Sequence, residues 1–151
     1  MSTFNISARE SVTVISLSDC PAGATFLAEV FGRFADSVNV DMIALTPGSS
    51  GCTAVSFTLD TEQFAPALAT TGALQKEYPT LKVSVSTGYT KITVGSAAME
   101  DAKGVAAQVF ALVERVGADL RMVTTALTEI SLLVPEADAT VTIAALGVLK
   151  A

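Results

Sequence analysis

The sequence contains no histidine, no tryptophan and only two cysteines among its 151 residues. Without histidine, the chain lacks the side chain that most often serves as a general base near neutral pH. Neither the Walker type nor the dinucleotide type of glycine-rich phosphate loop is present. The acidic groups Glu100-Asp101 and Glu136 to Asp138 are expected to stabilise helix starts through the helix dipole. We therefore predict that the chain is not an enzyme and has no catalytic residues.

The two cysteines, Cys20 and Cys52, are too few for a disulfide framework in a chain of this length. Their separation fits no metal-binding pattern, so we expect free thiols, no metal site and no cofactor. Cys20 lies just before a predicted helix, a position that can lower the pKa of a thiol. Reactivity at Cys20 is therefore the one enzymatic alternative left open.

Charge is also sparse, because only 16% of the residues are charged and the formal net charge is -6. The nine basic residues are scattered along the chain, which argues against a nucleic-acid partner. No apolar run reaches the roughly 18 residues of a membrane-spanning helix. The N-terminus lacks the basic start and apolar core of a secretory signal. We expect a cytoplasmic protein with no membrane partner and, at 50% hydrophobic residues, a substantial core.

An internal repeat of about 80 residues dominates the pattern of the chain. Each copy has an alternating apolar segment, a turn, an amphipathic helix and a second apolar segment. In this alignment Phe31 corresponds to Phe110, and Met42 corresponds to Met122. The repeat predicts two small units of one fold, each too small to bury a large core alone.

The first copy follows the order strand, helix, strand, strand, helix, strand. The predicted elements are residues 13–17, 24–37, 40–45, 53–59, 61–77 and 81–85, with turns at 19–23 and 47–51. Two strand-helix-strand crossovers of this kind make a four-stranded antiparallel sheet with both helices on one face. This is the ferredoxin-like arrangement.

The second copy has one strand fewer. Its predicted elements are residues 91–94, 104–116, 120–125, 129–134 and 136–149. The strand-like segment 3–8 is expected to supply the missing strand. The predicted fold class is α+β, with two ferredoxin-like domains packed together. The first domain is residues 11–86, and the second is residues 1–8 plus 88–151.

Several segments of the chain resemble the C-terminal regulatory region of aspartate kinases, a tandem pair of ACT domains. The resemblance rests first on residues 39–43 and 104–110, and also on Gly51 to Thr58, Glu129 to Val134 and Lys91 to Val94 followed by Met99. It extends over almost all of the 151 residues. The kinase domain of that family is not part of this sequence. The resemblance therefore implies either a separate regulatory subunit or an independent amino-acid sensor.

Members of the family bind an end-product amino acid, usually across an interface between ACT units. Backbone N–H groups at a helix start suit the ligand's carboxylate, and a carboxylate on a nearby strand suits its ammonium group. Carried over by position, the resemblance implies one ligand site on two segments expected to converge, made of Asp19, Cys20, Pro21, Ala22, Gly23, Ala24, Asn39, Val40 and Asp41. A second possible ligand site consists of Asp101, Lys103, Gly104, Val105, Asp119 and Leu120.

Each of these residues also has a purely structural interpretation. Gly23 and Gly104 suit backbone turns, Asp19 and Asp101 suit helix caps, and Asn39 and Asp41 suit polar strand ends. The sequence also departs from the family pattern. Ala22 stands between Pro and Gly, which are adjacent in the family. Lys103 replaces a usual Pro, Leu45 replaces a frequent Gln, and Ala126 replaces a Glu. These departures leave open a different, more apolar amino acid or a degenerate site kept for assembly.

The resemblance implies a non-catalytic, allosteric protein of amino-acid biosynthesis with a small amino-acid ligand. We expect a homodimer formed through the ACT domains, since the edge strands of small sheets favour pairing. The resemblance also implies a partner kinase chain or another biosynthetic enzyme. The alternative is a structural or interaction module that assembles with a partner enzyme and has a degenerate ligand site.

Overall fold

The computed structural model describes residues 4–48 and 51–150. Among these, two compact units are distinguished by their internal contacts. The central unit is residues 12–87, and the terminal unit comprises the described residues up to 11 together with those from 88 onward. Strands β1 (Asn5–Pro21) and β4 (Lys82–Gly95) contribute residues to both units.

The central unit contains the second part of β1 and the first part of β4. Between them lie α1 (Ala24–Phe34), β2 (Ile43–Pro47), β3 (Cys52–Asp60), a 3-10 turn (Thr61–Gln63) and α2 (Phe64–Glu77). The strand order is β2-β3-β1-β4, and β3 pairs antiparallel with both β1 and β2. This is the ferredoxin-like order expected from the sequence.

The core of the central unit lies between its sheet and its helices. Ile15 and Leu17 alternate along β1 and are fully buried, as expected for a half-buried strand. The ring of Phe57 on β3 lies 5.3 Å from the ring of Phe31 and 5.1 Å from that of Phe34, both in edge-on geometry. The helix-spaced phenylalanines of α1 therefore pack directly on the sheet.

The terminal unit repeats this arrangement. After β4 come a 3-10 turn (Ala97–Glu100), α3 (Val105–Val116), β5 (Met122–Thr125), β6 (Glu129–Pro135) and α4 (Glu136–Leu146). Its strand order is β1-β4-β6-β5. The first part of β1 thus supplies the fourth strand, which confirms the prediction for segment 3–8 from Asn5 onward. Phe4 precedes the strand, and residue 3 lies outside the described residues.

Matching residues of the two units form equivalent pairs between neighbouring strands. Ile15 pairs with Phe57 in the central unit, and Ile92 pairs with Leu132 in the terminal unit. On the opposite sheet face, the Ser16 and Ser56 hydroxyls lie 2.7 Å apart, and those of Thr93 and Ser131 lie 3.3 Å apart. Each unit therefore has a pair of hydroxyl side chains at the corresponding place in its sheet.

Several predicted boundaries need correction. The segments 3–8 and 13–17 belong to one strand, as do 81–85 and 91–94. Residues 19–21 continue β1 past a bulge between Leu17 and Cys20 rather than forming a turn. In the predicted turn 47–51, Pro47 ends β2, while residues 49 and 50 lie outside the described residues.

The start of β2 and the ends of two helices also differ from prediction. The strand begins at Ile43 rather than at residue 40. The Met42 N–H donates to the Thr58 side-chain hydroxyl at 2.9 Å, which interrupts the regular backbone ladder. Helix α1 ends at Phe34 rather than residue 37, and α4 ends at Leu146 rather than residue 149.

Candidate functional site

The first group of predicted ligand residues leads into α1. Gly23 is the N-cap of this helix and has a φ of 105°, a conformation that favours glycine over other residues. No described atom lies within 4 Å of a Cβ built on Gly23, so the requirement for glycine comes from the backbone angle. The first turn of α1 has no side-chain cap among the described residues and no acidic side chain. Its orphan N–H groups form a positively polarised helix start.

Asp19 and Cys20 have structural surroundings of their own. The Asp19 carboxylate lies 3.1 Å from the Lys82 ammonium group, so the interpretation of Asp19 as a helix cap is wrong. Cys20 is 1% exposed. Burial, reinforced by Asp19 and Cys52, raises the pKa of the Cys20 thiol. The pKa therefore moves in the direction that disfavours the thiolate, which opposes the alternative of a reactive Cys20.

The second group of ligand residues precedes β2. The Asn39 N–H donates to the Gln63 side-chain oxygen at 3.0 Å, and the Asp41 N–H donates to the Thr58 carbonyl at 3.0 Å. Val40 packs against the core of the unit. The backbone N–H groups of Asn39 and Asp41 are thus used within the unit.

The two groups lie at opposite ends of the central unit's sheet. Pro21 is level with Cys52 on β3, whereas Asp41 bonds to Thr58 on the same strand. At about 3.3 Å per residue, these levels are separated by roughly 20 Å. Strands β1 and β2 run parallel and are joined by a helical crossover, so the end of β1 and the start of β2 lie at opposite ends of the sheet. Within the central unit, the two groups do not converge as expected.

The equivalent helix start in the terminal unit is similar. Gly104 is the N-cap of α3 with a φ of 81°, and the first turn of α3 contains no acidic residue. Asp101 ends the preceding 3-10 turn instead of capping α3. Lys103 is exposed beside this start, whereas Val105 is buried in the core.

In the terminal unit, the segment before β5 is held by bonds to side chains. The Asp119 N–H donates to the Asp138 carboxylate at 3.1 Å, and the Asp119 carboxylate accepts from Arg121 at 2.8 Å. Leu120 packs against the core. Asp138 therefore has the same role here as Gln63 in the central unit.

Gln63, Asp138 and Lys82 are contacts of the candidate sites that reasoning from sequence missed. The first two occupy matching places after β3 and β6, so aligning the repeats through these strands would have identified them. No local sequence signal marks Lys82 as the partner of Asp19.

The four long helices begin in different surroundings. Glu136 and Asp138 lie in the first turn of α4, whereas the first turns of α1, α2 and α3 contain no acidic residue. Helices α1 and α3 also follow a glycine at positive φ, while α2 directly follows the 3-10 turn that contains Glu62. Negative groups stabilise helix starts, so an external carboxylate can complete the starts of α1 and α3. Glu100 and Asp101 precede α3 and do not lie in its first turn.

The described residues 4–48 and 51–150 hold no group of three or more acidic or cysteine side chains suited to a metal ion. In the same residues, no helix has the length and apolar character needed to cross a membrane.

Comparisons with known proteins identify the fold. A family model for the ACT domain matches residues 92–147. The regulatory subunit of aspartate kinase from Thermus thermophilus, in its ligand-free form, is 20% identical with a TM-score of 0.83, covering 96% of this chain and 94% of that one. The Thermus flavus regulatory subunit is 22% identical with a TM-score of 0.85 and 96% coverage of both chains. No curated protein sequence matches.

A longer enzyme has the same fold over part of its length. E. coli aspartokinase III in complex with lysine and aspartate is 27% identical with a TM-score of 0.68, covering 93% of this chain and 32% of that one. These similarities confirm the resemblance in fold to the aspartate kinase regulatory region and the predicted class of two ferredoxin-like units.

Proposed function

From the fold of aspartate kinase regulatory subunits, we propose that this chain is a non-catalytic regulatory protein that binds a small amino acid. The observation that carries the proposal is the pair of helix starts at α1 and α3. Both follow a glycine at positive φ and lack an acidic residue in the first turn. A ligand carboxylate would complete them with charge-assisted hydrogen bonds.

The ligand's ammonium group requires a polar partner from elsewhere. Asp41 and Asn39 precede β2, roughly 20 Å along the sheet from the start of α1 in the same unit. A ligand at the start of α1 therefore meets an Asp41 or Asn39 side chain only from a second copy of the chain. The proposed site is thus shared between two copies and links ligand binding to homodimer formation.

The edge strand β2 supports self-association. Ile43 and Leu45 pair with Phe57 and Val55 on β3, so they share the helix-covered face of the sheet. Each is nevertheless 50% exposed. An edge strand with exposed apolar side chains favours pairing with another copy.

The side chains near the proposed site favour a ligand other than lysine or threonine. Leu45 lies on β2, the strand that Asn39 and Asp41 precede, and supplies an apolar side chain there. Lys103 stands beside the start of α3, and its positive charge repels a lysine side chain. We propose a small or apolar amino acid as the effector. Its binding would shift the assembly state, or the activity of a cytoplasmic partner such as a kinase chain or another biosynthetic enzyme, by favouring one state.

A thermal-shift screen against the standard amino acids tests this function. A ligand bound only by the folded protein raises the melting temperature by mass action. We expect one amino acid, or a closely related group, to raise it. A flat screen across all the standard amino acids would contradict the proposal.

A matched pair of variants locates the site. Ala24→Glu places a carboxylate in the first turn of α1, where it competes with the ligand's carboxylate. Ala28→Glu adds the same charge one turn later, at another exposed position of the helix. We expect Ala24→Glu to reduce the ligand-induced shift and Ala28→Glu to preserve it. Equal responses in the two variants would place the ligand elsewhere.

The second candidate function is an assembly module with a degenerate site. It is favoured by the exposed Ile43 and Leu45 of β2, which require no ligand for pairing. Under this alternative, self-association measured by sedimentation would be unchanged by every amino acid, and Ile43→Lys would abolish it.

A further inference from the structure

The segment that contains Asn39 and Asp41 is bonded to strand β3 at Thr58. The Asp41 N–H donates to the Thr58 carbonyl at 3.0 Å, and the Thr58 N–H donates to the Met42 carbonyl at 3.0 Å. Asp41 and Met42 therefore stand together opposite one residue of β3, which is the arrangement of a β-bulge. The regular pairing of β2 with β3 begins at the next residue, Ile43.

The hydroxyl of Thr58 completes this bulge. A bulge leaves one residue outside the regular ladder, and the N–H of Met42 instead donates to the Thr58 side-chain oxygen at 2.9 Å. Thr58 is 0% exposed and Met42 is 3% exposed, so solvent does not replace this bond. A buried N–H without an acceptor costs free energy comparable to that of a lost hydrogen bond. The Thr58 hydroxyl therefore stabilises the backbone of the segment in its bulged conformation.

The repeat shows that this hydroxyl is a feature of the central unit. Leu133 is the counterpart of Thr58, because Leu132 takes the place of Phe57 in the strand pairing. The Arg121 N–H donates to the Leu133 carbonyl at 2.8 Å, which matches the bond made by the Thr58 carbonyl. Leucine has no side-chain acceptor. The sheet therefore accepts an apolar residue at this place, and the threonine serves the segment beside it.

The segment is held at both ends while its polar side chains are exposed. At one end, the Asn39 N–H donates to the Gln63 side-chain oxygen at 3.0 Å. At the other end, Thr58 holds Met42. Met42 is buried, whereas Asn39 and Asp41 are exposed, as expected from the alternation of an extended chain. Both polar side chains thus project from a backbone that is fixed by bonds within the unit.

We infer that Thr58, assisted by Gln63, is a positioning residue for the amino-acid site. The inference rests on the proposed function, in which Asn39 and Asp41 receive the ammonium group of the amino acid. Thr58 acts through the backbone of the segment and does not touch the amino acid. Fixing the segment beforehand reduces the ordering entropy that binding must overcome. Without the hydroxyl, the buried Met42 N–H loses its acceptor, and the bulge that orients Asp41 is destabilised.

Three threonine variants of the full chain separate positioning from stability. Thr58→Val keeps the shape of the side chain and removes the hydroxyl, whereas Thr58→Ser keeps the hydroxyl. The control is Thr71→Val on α2. Thr71 is also buried, and its hydroxyl donates to the Leu68 carbonyl of its own helix at 3.0 Å. The control therefore removes a buried hydroxyl that makes no bond to the segment.

Thermal shift measures the response of each variant, with an equimolar mixture of the standard amino acids as the probe. Each protein is compared with its own melting temperature in the absence of amino acids. A merely structural substitution lowers that starting temperature but leaves the dose response unchanged, because the rise depends on affinity. We expect Thr58→Val to need about tenfold more of the mixture for the same rise. Thr58→Ser and Thr71→Val are expected to respond as the wild type does.

A variant at the other end of the segment extends the test. Gln63→Ala removes the acceptor of the Asn39 N–H at a half-buried position. We expect it to need about threefold more of the mixture, because the bond is less buried than that of Thr58. Far-ultraviolet circular dichroism shows which variants are folded. If Thr58→Val does not fold, the response of Gln63→Ala decides the question.

The inference is overturned by a folded Thr58→Val with the full wild-type response, or by an equal loss in Thr71→Val. A full response in Gln63→Ala overturns it where Thr58→Val does not fold. A wild type whose melting temperature does not respond to the mixture contradicts the proposed function, and the inference fails with it. Failure of the positioning residue is therefore distinguished from failure of the amino-acid site by the response of the wild type.

Discussion

The central and terminal units share one fold but differ in how they pack their helices. The core of the central unit is aromatic, with Phe26, Phe34 and Phe57 all nearly fully buried. The main buried cluster of the terminal unit is aliphatic, with Leu132 in place of Phe57, and Phe4 packs against it only partly buried. One backbone pattern therefore accepts two different cores, provided that the alternation of apolar residues along the strands is kept.

A polar network is the second difference between the units. In the central unit, Glu29 accepts hydrogen bonds from the Tyr78 hydroxyl and from Arg33, which also bonds to Glu77. This network joins α1 to the end of α2. The described part of the terminal unit has no matching set of bonds between α3 and α4, and Val148 stands at the position of Lys76. The central unit thus joins its helices through charged and polar side chains, whereas Val141 and Phe110 on the helices of the terminal unit are exposed.

The largest expected effect is at the aromatic core. Phe57→Ala removes the ring that meets both Phe31 and Phe34 and is expected to cost about 3–5 kcal/mol of unfolding free energy. Leu132→Ala, at the matched position of the terminal unit, is expected to cost less, about 2–4 kcal/mol. Urea unfolding measures both values. A larger loss for Leu132→Ala would contradict the assignment of the aromatic cluster as the stronger core.

The repeated phenylalanines should differ in how much they contribute to stability. Phe31→Ala is expected to destabilise the chain by about 2–3 kcal/mol, because the ring packs against the core. Phe110→Ala is expected to cost under about 1 kcal/mol, because Phe110 is 41% exposed. Urea unfolding of the two variants provides the comparison. Equal unfolding losses would show that the two rings have the same role.

Acid should affect the polar network of the central unit. The hydrogen bond from Arg33 lowers the pKa of the Glu77 carboxyl. The folded state therefore prefers the carboxylate, and its stabilisation is present above the unfolded pKa of about 4.3 and lost as pH falls through the lower folded value. Glu77→Gln is expected to reduce the loss of stability between pH 5 and about 3. Thermal melts with an identical pH dependence in both proteins would contradict this effect.

The smallest expected effects concern helix glycines, which occur inside the helices of the central unit only. No described atom lies within 4 Å of a Cβ built on Gly32 or Gly72. Gly32→Ala and Gly72→Ala are each expected to raise stability by about 0.5–1 kcal/mol. As a contrast, Gly104→Ala at positive φ is expected to lower stability by about 1 kcal/mol. Chemical denaturation that reversed these signs would contradict the conformational assignment.

The fold could be predicted from sequence because its determinants are local and repeated. Alternating residues such as Ile15 and Leu17 identify a strand, and the spacing of Val30 and Phe34 identifies a helix. The repeat then indicated that a fourth strand was missing and that the N-terminal segment supplies it. The continuity of β1 and β4 through both units could not be predicted, since Ser11 and Gly88 have turn-like sequences and positive φ values.

The candidate site was predictable only in part. Gly23 and Gly104 were identified as special positions, and their positive φ values agree with that interpretation. The side-chain bonds of Gln63 and Asp138 join residues distant in sequence, and no local pattern encodes such pairs. The separation of the two ligand segments follows from the crossover connection of parallel strands, a consequence of topology rather than of any single residue.

Hydrogen exchange with mass spectrometry, performed in a saturating mixture of the standard amino acids and in its absence, tests the proposed function most directly. A ligand carboxylate at the helix starts would protect their orphan N–H groups. The account predicts slower exchange in the first turns of α1 and α3, with α2 and α4 as internal references. Unchanged exchange at the starts of both α1 and α3 would contradict it.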